Sequence, residues 1–332
     1  MTALPQMVEY RPLSPGLIVA VLLGCAIVAL YFVVPAAIEL PRDVVRNYNE
    51  GWGAVHADRF LAGLPLYPPA DALIVNNYPP LWYVLLAAAR ILGFDPVIFG
   101  RACALVSQFA STVLVGIITW RLVQDRLLAA VAAMLFLAGT TAWLPSYVAM
   151  NDPQWLSCTL MLAGLAVLVS SPQSSSAVAA AILIVVGGFV KHSGLAIPLT
   201  AAVYLYLTDR RLAQTFVLTV VIASMLGFIF SLLAFGGDFL RGLFLHAREW
   251  DLRLTYWLVS RRPLFFAFGV VVFCLALARL PSGAGRRLSI AFLGISFTIG
   301  SLLTTGAGVS ENVFFEAWAA IAIAFALLLA GD

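Results

Sequence analysis

The sequence predicts an all-α membrane protein, a polytopic bundle of about ten transmembrane helices. Three observations carry that reading. Of 332 residues, 62% are hydrophobic and only 11% charged, where soluble domains carry about 25% charged residues. Apolar runs near the roughly 20 residues needed to cross about 30 Å of hydrocarbon recur along the whole chain. These runs lack the period-two alternation of barrel strands. The mean hydropathy, +1.00, agrees.

The first span is read at 16–37, with no small-residue cleavage pattern after it, so no cleavable signal peptide is expected. An outer loop, 38–95, follows. Further spans are predicted at 96–120, 127–145, 153–170, 176–190, 194–208, 213–235, 263–279, 288–304 and 314–330. One more apolar piece, 78–93, opens on two prolines and decides the sidedness of everything after it. If the N-terminus is cytoplasmic and 78–93 lies in the outer interface, the arginine-bearing turns 121–126, 209–211 and 279–287 are all cytoplasmic. The positive-inside rule favours that placement; if 78–93 crosses, all three turns are external. The outer segment 236–262 alternates apolar and basic positions across 238–250, which reads as an amphipathic helix in the interface. The expected organisation is a single transmembrane domain over 1–332 with interfacial helices in the first outer loop and around 238–260, and no soluble domain. Cys25, Cys103, Cys158 and Cys274 lie in apolar runs and read as small core residues. A net charge of +3 gives no reason to expect a nucleic-acid partner, and no Walker, GxGxxG or nucleophile-elbow motif is present.

The polar groups gather on the outer side in this topology. Glu50 lies in Asn49-Glu50-Gly51-Trp52, and Asp152 stands before Pro153 at the start of a span. Two carboxylates at a dry interface can divide the work of general base, substrate anchor or metal ligand. The plainer readings, a solvated loop acid for Glu50 and a helix N-cap for Asp152, stay open beside it. Lys191, the only lysine, closes an apolar run in Val190-Lys191-His192-Ser193-Gly194. A cation there is expensive unless it faces an anion, a cavity or the surface. Ser193 and Gly194 stand where the next helix is expected to begin, and free amides at a helix start favour an anion. Lys191, with Arg241, Arg248 and Arg253, therefore suggests a lipid-phosphate site, with ordinary anionic headgroups as the alternative for the arginines. Tyr78-Pro79-Pro80-Leu81 offers a rigid aromatic wall for a groove or a headgroup belt. Glu311 and Asn312 open the last span, and Glu316, a turn inside it, is expected to face a polar interior. His192 and His246 are candidate bases or ligands, and equally ordinary hydrogen-bonding residues.

These residues, in this order, resemble the type-C glycosyltransferases, polytopic membrane enzymes that use polyprenyl-phosphate sugars. The likeness runs through Asn49-Glu50-Gly51-Trp52, Tyr78 to Leu81, Arg101, Asp152, Lys191 to Gly194 and Asn312 to Glu316. It looks most like the bacterial branch with the protein O-mannosyltransferases and lipid A aminoarabinose transferases. The resemblance implies transfer of a sugar from a polyprenyl-phosphate donor to a glycan, lipid or protein acceptor at the periplasmic face of a bacterial inner membrane. Glu50 would deprotonate the acceptor, and Lys191 with His192, Arg241 and Arg248 would hold the departing lipid phosphate. Asn49, Trp52, Tyr78, Pro79, Pro80, Glu311 and Asn312 would line the substrate groove. Asp152 would orient the acceptor, and a divalent ion, where one is used, would sit on Glu50 or Asp152. Asn49 stands where the family's motif usually carries an aspartate, so Glu50, or else Asp152, takes the role of base. A transporter or flippase of a lipid-linked or anionic substrate, and a non-catalytic relative, are the rival readings.

Overall fold

The computed structural model describes residues 14–45, 47–69, 71–245 and 249–330. Helix starts follow local chemistry. Helix α1 (Pro15–Glu39) begins after Ser14, whose Oγ accepts from Leu17 N at 3.3 Å. Helix α2 (Tyr48–Leu61) is capped by Asn47, which accepts from Asn49 N at 3.0 Å. Helix α3 (Leu81–Ile91) follows the buried Pro79 and Pro80. Helix α4 (Pro96–Val123) has Pro96 at its first position and Asp95 accepting from Val97 N and Ile98 N. The same aspartate cap starts α5 (Arg126–Trp143) at Asp125. Then come α6 (Gln154–Ser170), α7 (Ser174–Val190) and α8 (Ala196–Thr208). Asp209 caps α9 (Arg210–Phe235), which leads into α10 (Gly237–Phe244), α11 (Leu252–Arg261), α12 (Pro263–Arg279), α13 (Ala284–Leu303) and α14 (Phe315–Ala330).

Every predicted span is a helix, but not every one has the length to cross unaided. Among the described residues six helices are long and apolar enough, or seven if the α11–α12 pair, bent by 90°, counts as one. Helices α6 and α7 have 17 residues and α8 has 13. At about 1.5 Å per residue these fall short of a 30 Å core. They are short because 144–153 and 191–195 leave α-helix early, and the two segments are joined inside the protein by the Asp152–Lys191 ion pair. Irregular backbone at such depth is tolerated where protein buries it or a cavity solvates it. Helix α3 has 11 residues, about 16 Å, and does not cross.

The 238–250 stretch is not the single amphipathic helix its pattern suggested. Helix α10 ends at Phe244, with Phe239 fully buried against the Tyr67 and Phe228 rings. Residues 249–251 then run edge-on to 305–307: Asp251 N donates to Thr305 O at 2.8 Å and Ala307 N to Glu249 O at 2.9 Å. This backbone pairing satisfies groups that a continued helix would have paired internally. His246 and Arg248 lie outside the described residues.

Helix α14 is the axis of the bundle, packed on α4, α5, α12 and α13. Its buried alanines let neighbours approach closely, and Gly139 of α5 lies directly under the Trp318 ring, where a Cβ would clash. Helices α1 and α9 turn most of their apolar surface outward, as lipid-facing spans do. Helices α8 and α13 lie side by side and antiparallel: Leu195 and Leu303 meet at one cavity, while Arg287 near the start of α13 reaches Leu207 at the other end.

Candidate functional site

Two buried ion pairs organise one end of the bundle. The first joins α2 to α4. Arg101 Nε donates to Glu50 Oε1 and Nη2 to Oε2, both at 2.8 Å, a two-pronged contact between fully buried side chains. Nη1 also donates to Leu40 O at 3.3 Å and Arg42 O at 2.6 Å, and Nη2 to Val44 O at 2.6 Å. All five guanidinium donors are thus used. Glu50 Oε1 accepts further from Asn151 N at 3.2 Å, and Asn151 Nδ2 donates to Glu50 O at 2.9 Å. Gly100 has no room for a Cβ because the Asn151 amide lies against it. The cluster fixes the 40–44 turn and the residue before Asp152.

The second pair joins the α5–α6 connection to the end of α7. Lys191 Nζ donates to Asp152 Oδ1 at 3.0 Å. The same oxygen accepts from Gln154 N at 2.8 Å, so Asp152 does cap the start of α6. With its amide oxygen turned to the amine, Asn312 accepts from Lys191 Nζ at 3.1 Å, and its amide is 3.2 Å from that of Gln154. The amine also lies 5.0 Å from the centre of the Tyr78 ring. Asp152 Oδ2 is buried and has no partner among the described residues.

The anion expected at the next helix start is the protein's own. Glu316 Oε2 accepts from Ala196 N at 3.1 Å and Oε1 from Ile197 N at 3.4 Å, so a carboxylate from α14 caps α8. Glu316 thereby faces a polar interior, as its position in the sequence suggested.

A cavity of about 280 Å³ opens above Lys191, with Asn49, Tyr78, Tyr147, His192, Ser310 and Asn312 among its walls. None of its lining residues is a carboxylate. Beside it, an apolar groove of about 320 Å³ runs between α3, α7 and α9, past Pro80, Val84, Val186, Phe189 and Phe230. No residue lines both, but Tyr78 and Lys191 of the cavity are next but one along the chain to Pro80 and Phe189 of the groove.

The structure thus brings together Lys191, His192, Asn49, Tyr78 and Asn312 around one cavity, with Asp152 beneath the amine. Pro80 belongs to the groove, and Pro79 is buried beside it. Glu50 stands apart from that set: both its oxygens are held by Arg101 and it does not line the cavity. Trp52 packs its ring on buried His56, 5.7 Å between centroids. Glu311 pairs with Arg262 at 3.2 Å instead of lining the cavity. Arg241 is half exposed and paired at 2.8 Å with Asp238 on its own helix. The described residues hold no group of three His, Cys, Asp or Glu side chains placed for a metal ion, and both Glu50 oxygens are engaged by Arg101. Asn47, Tyr147, Ser310 and Gln154 were not anticipated as parts of the site; their only signal in the sequence was adjacency to residues that were.

Neither a family model nor a curated protein matches the chain. Solved structures do. ArnT from Cupriavidus metallidurans bound to undecaprenyl phosphate superposes with a TM-score of 0.63 at 16% identity, covering 95% of this chain and 60% of that one. The chain has an ArnT-like membrane fold. The apo state of the same protein gives 0.61 at 15% identity, covering 94% and 59%. The chain therefore spans about three-fifths of ArnT's length.

Proposed function

We propose that this protein is a membrane glycosyltransferase that takes a sugar from a polyprenyl-phosphate donor. The carrying observation is a lysine-bearing, carboxylate-free cavity whose Tyr78 and Lys191 stand two residues along the chain from Pro80 and Phe189 of an apolar groove. That combination fits a phosphate head with a long hydrocarbon tail. The ArnT-like fold supports the same donor class, since one of those structures holds undecaprenyl phosphate.

In this reading the acceptor hydroxyl attacks the anomeric carbon, the bond from that carbon to the phosphate oxygen breaks, and polyprenyl phosphate departs with one more negative charge. Lys191 spends two N–H groups on Asp152 and Asn312 and keeps a third for that phosphate. A preorganised cation at developing charge contributes about 3–4 kcal/mol, on the scale of one oxyanion donor. The proton leaves by the cavity wall, where His192 is the titratable base at hand, toward Asp152 Oδ2. That oxygen lies buried beneath the amine without a partner among the described residues, and Asp152 does not itself line the cavity. Glu50 positions the site: through Asn151 it fixes the turn that carries Asp152. The cavity faces the periplasm of a bacterial inner membrane, with the N-terminus cytoplasmic, because that placement puts the turns 121–126, 209–211 and 279–287 inside.

The test is release of undecaprenyl phosphate from a panel of undecaprenyl-phosphate sugars by purified protein with cell-envelope acceptors. Asp152→Asn and Lys191→Ala are expected to cut release about 10²-fold or more. Because each removes one partner of a buried ion pair, the thermal midpoint is measured alongside and rates are compared below it. Wild-type rates in both variants, or lipid movement across vesicles without sugar release, would overturn the reading.

A further inference from the structure

The opposite end of the α8–α13 pair carries a second site. A cavity of about 390 Å³ lies there, bounded by Val203 and Leu207 of α8, Ser282, and Arg286, Arg287 and Ile290 of α13. Its position is independent of the Lys191 cavity, which meets these helices at Leu195 and Leu303.

The arginines are held by backbone carbonyls, with no carboxylate on the cavity wall. Arg286 Nη2 donates to Leu277 O at 2.9 Å and Arg287 Nη1 to Leu207 O at 2.9 Å, carbonyls in the last turns of α12 and α8. Each guanidinium is thus tethered by one bond to the end of a neighbouring helix, with donors left over. Arg286 Nε is buried and has no partner among the described residues, and no acidic side chain lines the cavity. Gly283 before α13 supplies no side-chain cap, so the positive end of that helix adds to the field. The other wall is apolar and faces outward, with Leu207 51% and Val203 39% exposed.

We propose that this cavity binds the headgroup of an anionic phospholipid, in the leaflet opposite the candidate catalytic cavity. A phosphate would take the free arginine donors, and the outward apolar wall of Val203, Leu207 and Ile290 would lie along the first part of the acyl chains. A free inorganic anion would use the cations and leave that wall without a function.

The experiment is native mass spectrometry of the delipidated full chain, titrated separately with phosphatidylglycerol, phosphatidylcholine and inorganic phosphate. The wild type is expected to retain phosphatidylglycerol in preference to phosphatidylcholine. Arg286→Ala with Arg287→Ala should weaken that retention by about 25-fold, each arginine near an anionic headgroup contributing about fivefold. Val203→Trp, which fills the apolar wall and keeps both arginines with their carbonyl bonds, should also lose it, so the test survives a double variant that fails to fold. Equal retention of the two lipids, retention unchanged in Val203→Trp, or complete displacement of phosphatidylglycerol by inorganic phosphate would each overturn the proposal.

Discussion

The Glu50–Arg101 and Asp152–Lys191 pairs are both buried at the same end of the bundle, and they differ in what they leave unused. Arg101 spends all five donors on protein oxygens, and Glu50 has both oxygens engaged. Lys191 keeps a donor and Asp152 keeps an oxygen, beside a cavity. A saturated pair holds segments together; an unsaturated one has valence left for a substrate. Charge and burial alone would have ranked the two alike.

That contrast breaks most visibly at Arg101. Arg101→Ala leaves a buried carboxylate without its counter-ion, a loss of about 3–5 kcal/mol, and the variant should unfold at markedly lower temperature in detergent. A thermal midpoint like the wild type's would show that the pair does not hold the fold. Lys191→Ala should reduce sugar transfer roughly 10²–10³-fold, the scale of one missing oxyanion donor, as read from undecaprenyl phosphate release. Glu50→Gln separates positioning from base chemistry. As a positioning residue it lowers the thermal midpoint and the rate together, whereas a rate collapse at unchanged midpoint would return Glu50 to the role of base.

A gentler probe is pH. Burial pushes the His56 imidazole of α2 down to about 4, the Val75 carbonyl opposing and Arg59 adding to it. An unfolded histidine titrates near 6.5, so the unfolded chain binds the proton first and stability is lost as pH falls from about 6.5 toward 4. His56→Gln should flatten the thermal midpoint over that window. The smallest effect belongs to Arg241→Ala, an exposed pair within one helix worth about 0.3–0.5 kcal/mol. Transfer should be unchanged, and a large loss would restore Arg241 to the phosphate site.

Much of this was legible beforehand. The ten apolar runs became helices because apolar length is a local property, and Asp95, Asp125 and Asp209 start their helices through bonds spanning two or three residues. Lys191 stood out because a lone cation closing an apolar run demands a partner. The partner itself was not legible: Asp152 is 39 residues away and Asn312 farther still, and no pattern in the chain links them. Glu311 and Asn312 read alike in sequence, yet one turns to Arg262 and the other to Lys191. The break after α10 escaped detection because the 249–251 backbone pairs with 305–307, across half a hundred residues.

By itself the sequence determined that this chain lives in a membrane, where its helices lie, and which ionisable groups are too costly to be idle. Apolar length and desolvation act on each segment separately, so they can be read one residue at a time. Tertiary structure alone decided which acid meets which base, and left Asp152 rather than Glu50 with a free oxygen beside the cavity. Hydrogen-bond valence is shared among distant segments, so it is settled only when the helices have packed.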